Sequence, residues 1–126
     1  MAKDIALFNI LTNNLMSVAR EMSADFLRSA YSVVIREAAD CSTFLADAKG
    51  RILAQPQDQP LHMNSVSRAL TGALSKIDAT NLTEDDAIIL NDPYSGGQHL
   101  SDIYIFSPIV HDGKLVAFAG TTGHHA

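Results

Sequence analysis

A single cysteine, Cys41, is all the thiol this chain of 126 residues has. No internal disulfide can form, and the composition fits a reducing cytoplasm better than a stapled secreted domain. Positive charge is also scarce. Nine Lys and Arg against fourteen Asp and Glu leave a net charge of -5, and the nine are scattered from Lys3 to Lys114. Without a basic stripe, nucleic acid and anionic membrane are poor partners. No apolar run approaches the ~20 residues of a spanning helix, and the N-terminus carries Lys3 and Asp4 with no apolar stretch of the signal-peptide kind. No GxxxxGKS or GxxxxGKT run occurs, so a phosphate-binding loop of that kind is lacking too. What is present, 47% hydrophobic and 18% charged residues, suffices for one soluble domain with a modest core.

From Asp4 to about Arg36 the apolar residues Ile5, Phe8, Leu11, Leu15, Val18, Met22, Phe26 and Ala30 recur at three- and four-residue steps. This predicts a long amphipathic helix packed along one stripe, with Asp4 as its N-cap. The β-branched cluster between Tyr31 and Ile35 allows its last turns to be extended instead. Residues 41 to 55 alternate, break at Asp47-Ala48-Lys49-Gly50 and resume at Ile52, which predicts a hairpin with Gly50 at a positive φ. After a connection from Pro56 to Pro60, a second helix over 64–77 is expected, capped by Asn64 or Ser65, with Val66, Leu70, Ala73, Leu74 and Ile77 on its apolar face and Gly72 weakening it. A short buried strand from Ala87 to Leu90 then delivers Asn91 and Asp92.

The segment NDPYSGGQHLSD, residues 91 to 102, holds the densest chemistry in the chain: a turn signal, the pair Gly96-Gly97, and His99 three residues before Asp102. Strand-like runs over 103–110 and 114–119 flank Asp112-Gly113, a strong two-residue hairpin turn. An unbroken ladder from that turn sets Asp102 opposite Gly123 and Ser101 opposite His124. Paired strands lie ~5 Å apart, so the hairpin returns the terminal histidines His124 and His125 to the His99 and Asp102 segment. Parity in this register puts His125 on the Asp102 face and His124 on the other, and a one-residue bulge would reverse the choice. His99 and Asp102 are three apart, so both reach one ion only if the Gly96 to Leu100 segment is a loop or bulge.

Two imidazoles and a carboxylate with open positions are the usual ligand set for a catalytic Zn, Mn or Fe ion. Other features carry plainer readings. A Gly-Gly pair after Asn-Asp-Pro often marks only a turn. His62, at a helix entrance, suits a capping or structural role more than catalysis. Cys41, in a strand-like run, reads as a small buried hydrophobe, and His111, beside the hairpin turn, as solvent-exposed.

The chain resembles the N-terminal part of the hydantoinase B/oxoprolinase family. The residues that carry the likeness are Asp40-Cys41-Ser42, Asp47-Ala48-Lys49-Gly50-Arg51, Pro60-Leu61-His62, the 91–102 segment, Pro108 and the final Gly123-His124-His125-Ala126. The resemblance implies a subunit of an ATP-dependent enzyme that hydrolyses a cyclic amide. It implies a hydantoinase A-type partner subunit that activates the substrate by phosphorylation, hence a hetero-oligomer, and a divalent metal held by His99, Asp102 and either His124 or His125. Asp40 and His62 fall on matching motif positions and are candidate catalytic residues without an assigned role. ATP would act through the partner.

Family B-type subunits are several times longer, and their closing motif continues past His-His-Ala. The chain is therefore expected to cover residues of an N-terminal fragment, inactive by itself. Two further readings stand beside the hydrolase: the corresponding subunit of an ATP-dependent ketone carboxylase of the acetone or acetophenone type, and a non-catalytic α+β binding module. The expected architecture is α+β: a long N-terminal helix, a hairpin near 41–55, a helix near 64–77 and an antiparallel hairpin over about 102–123.

Overall fold

The computed structural model describes residues 2–57 and 62–125; Pro60, Leu61 and Ala126 lie outside the described residues. The fold is α+β. Helix α1 (Ala2–Ser29) is followed by a short α2 (Val33–Ala38), strands β1 (Cys41–Asp47) and β2 (Ile52–Ala54), helix α3 (Ser65–Leu74), and strands β3 (Ile88–Leu90), β4 (Asp102–His111) and β5 (Lys114–His124). The five strands form one antiparallel sheet in the order β2-β1-β5-β4-β3.

Each face of the sheet is covered by one long helix, because strand residues alternate between faces. On one face Phe44, Ala46, Tyr104, Phe106 and Phe118 meet Val66, Ala69, Leu70 and Ala73 of α3. On the other, Leu45, Ala54 and Ala119 meet Leu15, Met16, Ala19 and Met22 of α1. The Thr43 hydroxyl adds a hydrogen bond of 2.8 Å to the carbonyl of Ala19.

The N-terminal helix departs from its expected form in three ways. It stops at Ser29. Ser32, in an extended conformation, then caps α2, its hydroxyl accepting from the Ile35 amide, so the β-branched segment is a separate short helix. Asp4 is not a cap but lies inside the first turn, where a carboxylate favours the helix dipole. Only the second half packs: Ile5, Phe8 and Leu11 are more than half exposed, because the sheet begins to cover the helix only at Leu15.

The second helix also ends early, at Leu74, leaving Ile77 outside it, and Asn64 takes the N-cap position without a side-chain hydrogen bond. Strand β3 is an edge strand and not a buried one, with Ile89 68% exposed. Both predicted turns form where expected, with Gly50 at φ 83° and with Asp112 and Gly113 at φ 49° and 69°. The last two values fit the tight turn that right-twisted strands favour.

Candidate metal centre

The β4–β5 ladder starts in the expected register, with His111 opposite Lys114 and Val110 opposite Leu115, and then shifts by one residue between Ile109 and Val110. Beyond that bulge Ile109 faces Ala117, and the shift carries to the far end, where Asp102 lies opposite His124. The unbroken ladder, which favoured His125, is thus corrected: His124 shares the Asp102 face. His125 is exposed and lies outside the cluster, with its backbone amide bonded to the carbonyl of Ser101 at 2.9 Å.

His99 reaches the same point by a turn. The Asp102 amide donates to the His99 carbonyl at 3.1 Å, folding the segment back so that two residues three apart share a side. The loop before it is closed by Asn91, whose side-chain amide donates to the Leu100 carbonyl at 3.1 Å.

Asp102, with its side chain 2% exposed, sits between the two imidazoles. Its Oδ1 is 2.8 Å from His124 Nδ1, and its Oδ2 is 3.0 Å from His99 Nδ1 while also accepting from the His99 backbone amide at 3.2 Å. Both contacts are made by Nδ1: with that nitrogen protonated each ring donates to the carboxylate, and the tautomer decides which nitrogen is left for an ion. The two rings stand nearly perpendicular, with centroids 6.1 Å apart. One potential ligand atom from each of His99, Asp102 and His124 lies within 4.8 Å of the other two. Two imidazole nitrogens and a carboxylate oxygen suit Zn, Mn or Fe in type. Ligand distances of about 2.0–2.2 Å need only a modest contraction of the cluster, within reach of the exposed His99 side chain.

Asp40 and His62 come to the edge of this cluster. Cys41 pairs with Gly123, so Asp40, one residue before β1, falls beside His124, whose amide donates to the Asp40 carbonyl at 3.0 Å. Asp40, His124 and Asp102 therefore form one row across three chain segments. Ala39 turns the chain into that row with a left-handed φ of 52°.

His62 is 3% exposed, with Nε2 3.8 Å from Asp40 Oδ1 and Nδ1 3.0 Å from Ser42 Oγ. Burial holds the His62 imidazole below its ordinary pKa; the carboxylates of Asp102 and Asp40 act against this, and the imidazoles of His124 and His99 add to it. Ser42 is the residue that sequence reasoning missed. It stands one pleat inward from Asp40, in a buried row with Thr122 and Tyr104, and its only sequence signal is the alternation of β1.

The depressed His62 value fixes the sign of a pH effect. Above the ordinary value of 6.5 the imidazole is neutral in both folded and unfolded chains. As pH falls below 6.5 the unfolded chain takes up the proton first, so the folded state loses stability down to the folded value. Thermal melts over this interval should show a falling Tm, and His62→Gln should flatten the slope; an equal slope in both proteins would assign the effect elsewhere.

The remaining candidates fall as expected from their neighbours. Cys41 is buried in β1 and His111 is exposed at the β4–β5 turn. No helix among the described residues is long and apolar enough to cross a membrane.

Known proteins include relatives of similar sequence and solved structures of similar fold. The chain is 33% identical over 123 residues to 5-oxoprolinase 1 of Arabidopsis thaliana, covering 98% of this chain and 10% of that protein. It is 29% identical over 115 residues to caprolactamase subunit beta of Pseudomonas jessenii, covering 91% of this chain and 20% of that protein. The crystal structure of the ATP-dependent caprolactamase from the same organism superposes with a TM-score of 0.83 at 27% identity, over 95% of this chain and 21% of the other. Nucleotide-free acetone carboxylase superposes with a TM-score of 0.84 over 98% of this chain and 16% of the other; at 21% identity this is a likeness of fold. The chain thus spans about a tenth to a fifth of these relatives. The model of the hydantoinase B/oxoprolinase family matches residues 4–126, and the chain belongs to that family.

Proposed function

We propose that the chain supplies the metal-binding region of the B-type subunit of an ATP-dependent cyclic-amide hydrolase. The observation that carries this reading is the buried Asp102 carboxylate, held between His99 and His124, which lie on the two sides of the β4–β5 hairpin. A paired carboxylate at 2% exposure is costly to bury, and two imidazoles converging on it favour a purpose beyond folding. The names of the similar proteins, 5-oxoprolinase and caprolactamase, are those of enzymes that act on lactams, which favours a cyclic amide over a ketone as the substrate class.

In this reading His99, Asp102 and His124 hold a divalent Zn, Mn or Fe ion, which supplies Lewis acidity toward a carbonyl oxygen or a water. Asp102 orients both imidazoles and limits their motion. Ring opening adds water to the phosphorylated carbonyl carbon and breaks the C–N bond, leaving the nitrogen needing a proton, and a second water releases the phosphoryl group as phosphate. In this reading His62 Nε2, 3.8 Å from Asp40 at the edge of the cluster, holds and passes that proton, and Ser42 fixes the ring. In this reading ATP acts through a hydantoinase A-type partner subunit, which the subunit names of similar proteins support. The exposed apolar half of α1 supports a place within a larger protein, and the subunit names of similar proteins support a hetero-oligomer. A buried lone cysteine is consistent with a cytoplasmic enzyme.

The test is metal content of the full-length B-type subunit that contains this chain beside its His99→Ala and His124→Ala variants, followed by assays of that subunit with an A-type partner, ATP and cyclic amides. Stoichiometric metal that is lost in both folded variants, with ADP and a ring-opened amino acid formed by the parent, is the expected result. A parent without metal, or metal retained in both variants, overturns the site.

A further inference from the structure

The loop that carries His99 is seated on α3 by direct contact between backbones. A Cβ on Gly72 would lie 1.9 Å from the Ser95 carbonyl oxygen and 2.9 Å from its carbon. A Cβ on Gly96, which has φ 108°, would lie 2.6 Å from the carbonyl carbon and oxygen of Arg68 and 2.8 Å from the Ala69 nitrogen. Two glycines, one on each partner, thus bring residues 95 and 96 onto the helix with no side chain between.

Neither partner has room to withdraw. On its far side α3 presents Ala69, Leu70 and Ala73 to the aromatic layer of the sheet. The loop is closed on itself, since Asp92 accepts from the amides of Ser95 and Gly97 at 3.1 and 3.2 Å through its carbonyl, and from the Tyr94 amide at 3.0 Å through its carboxylate. Lys76, just beyond α3, binds the Asp92 carboxylate at 3.3 Å and also the Ser95 hydroxyl. His99 follows Gly97 by two residues. Asp102, by contrast, is set by the β4–β5 ladder. The distance between these two groups therefore depends on where α3 holds the loop as well as on the hydrogen bonds that tie His99 to Asp102.

We propose that α3, through Gly72 and Gly96 with Lys76 as a tether, is the positioning element that brings His99 to the metal centre. The inference rests on the metal reading above and adds a dependence that the ligand residues alone do not have. Gly72 touches no ligand; it acts through His99. A helical glycine needed only for compact packing would not have its effect on metal affinity abolished by removing His99.

The experiment is a double-substitution cycle read by zinc affinity, with Zn²⁺ added alone to the metal-stripped protein in a competition titration. Gly72→Ala should weaken binding about 10- to 100-fold, the range expected when support for a ligand is lost. Adding Gly72→Ala to His99→Ala should weaken binding no further than His99→Ala alone. Lys76→Met, which introduces no clash, should give a smaller loss of several-fold, again abolished in the His99→Ala background, and it covers the case in which Gly72→Ala does not fold. Parent-like affinity in Gly72→Ala, or losses that multiply with His99→Ala for either variant, would overturn the proposal while leaving the metal site standing. A parent that takes up no zinc fails the earlier reading itself and removes the basis of this one.

Discussion

Asp102→Ala is expected to lose bound metal outright, with affinity falling by about a hundredfold or more, beyond the range seen when only the support of a ligand is removed. The carboxylate is 2% exposed and meets both His99 and His124, so its loss takes away one ligand and frees the other two. It also releases the His99 backbone amide, which donates to Oδ2. Three interactions end together, and the His99 turn loses its latch. The metal-free fold should suffer as well, by about 1–3 kcal/mol, because three donors lose their acceptor.

Asp102→Asn separates the two effects. The amide matches the carboxylate in shape but offers one oxygen and one NH₂, so one imidazole meets a donor where it had an acceptor. That ring must change tautomer or turn away. The Asn variant should therefore keep most of its thermal stability and still lose most of its metal. Metal analysis after dialysis, paired with melting curves of the metal-free proteins, reads both quantities. If Asp102→Asn binds metal as tightly as the parent, the charge of this group has no part in ligation and the site as described is wrong.

Phe44→Ala should produce the largest loss of stability, about 3–5 kcal/mol, with little change in metal affinity of the folded fraction. Phe44 is fully buried, meets Phe106 edge-on at 5.8 Å and lies over Gly120 of β5. The ring fills the space that a side chain at 120 would occupy: a Cβ there would be 2.0 Å from Phe44 Cζ. Gly120→Ala should accordingly destabilise by about 1–3 kcal/mol through overpacking. Combining Gly120→Ala with Phe44→Leu should cost less than the sum of the single changes, since the smaller side chain vacates the clash. Urea unfolding measures all four proteins. For a domain of this size, whose total stability is on the order of 5–15 kcal/mol, Phe44→Ala approaches the limit of folding. Strict additivity would show that the ring and the glycine do not share the space the structure assigns them.

Metal affinity is insulated from this change by distance along the sheet. Phe44 and Gly120 face each other two pairs inward from Asp40 and His124 on the same face, with Ser42 and Thr122 between. The aromatic layer sets stability, and the polar rows at the end of the sheet set chemistry.

Much of this arrangement was legible in the residues alone. The 41–55 hairpin and the Asp112-Gly113 turn were readable because a turn with positive φ needs particular residue types and alternation reports a sheet face directly. The convergence of His99 and Asp102 with the terminal histidines followed from the hairpin turn, since a ladder counted from a known turn carries residue pairs to its far end. The family likeness rested on contiguous motifs and pointed to the same residues.

The choice between His124 and His125 could not be read in the same way. It depends on a single shift between Ile109 and Val110; Pro108, one residue before it, is a residue that sheets accept inside a strand mainly at bulges, but tertiary packing of the sheet decides where the shift falls. The length of α1 that is covered was likewise beyond sequence periodicity, which identifies an apolar stripe but not where the sheet beneath it begins. The partnership of His62 with Ser42 and Asp40, and the seating of Ser95 and Gly96 on Gly72, join segments about twenty residues apart through contacts of a few ångströms. Sequence by itself determined the turns, the strand faces and the ligand types. Only the tertiary structure decided register, coverage and which polar groups meet, because these follow from how helices and strands pack against one another and not from the conformational preference of any one segment.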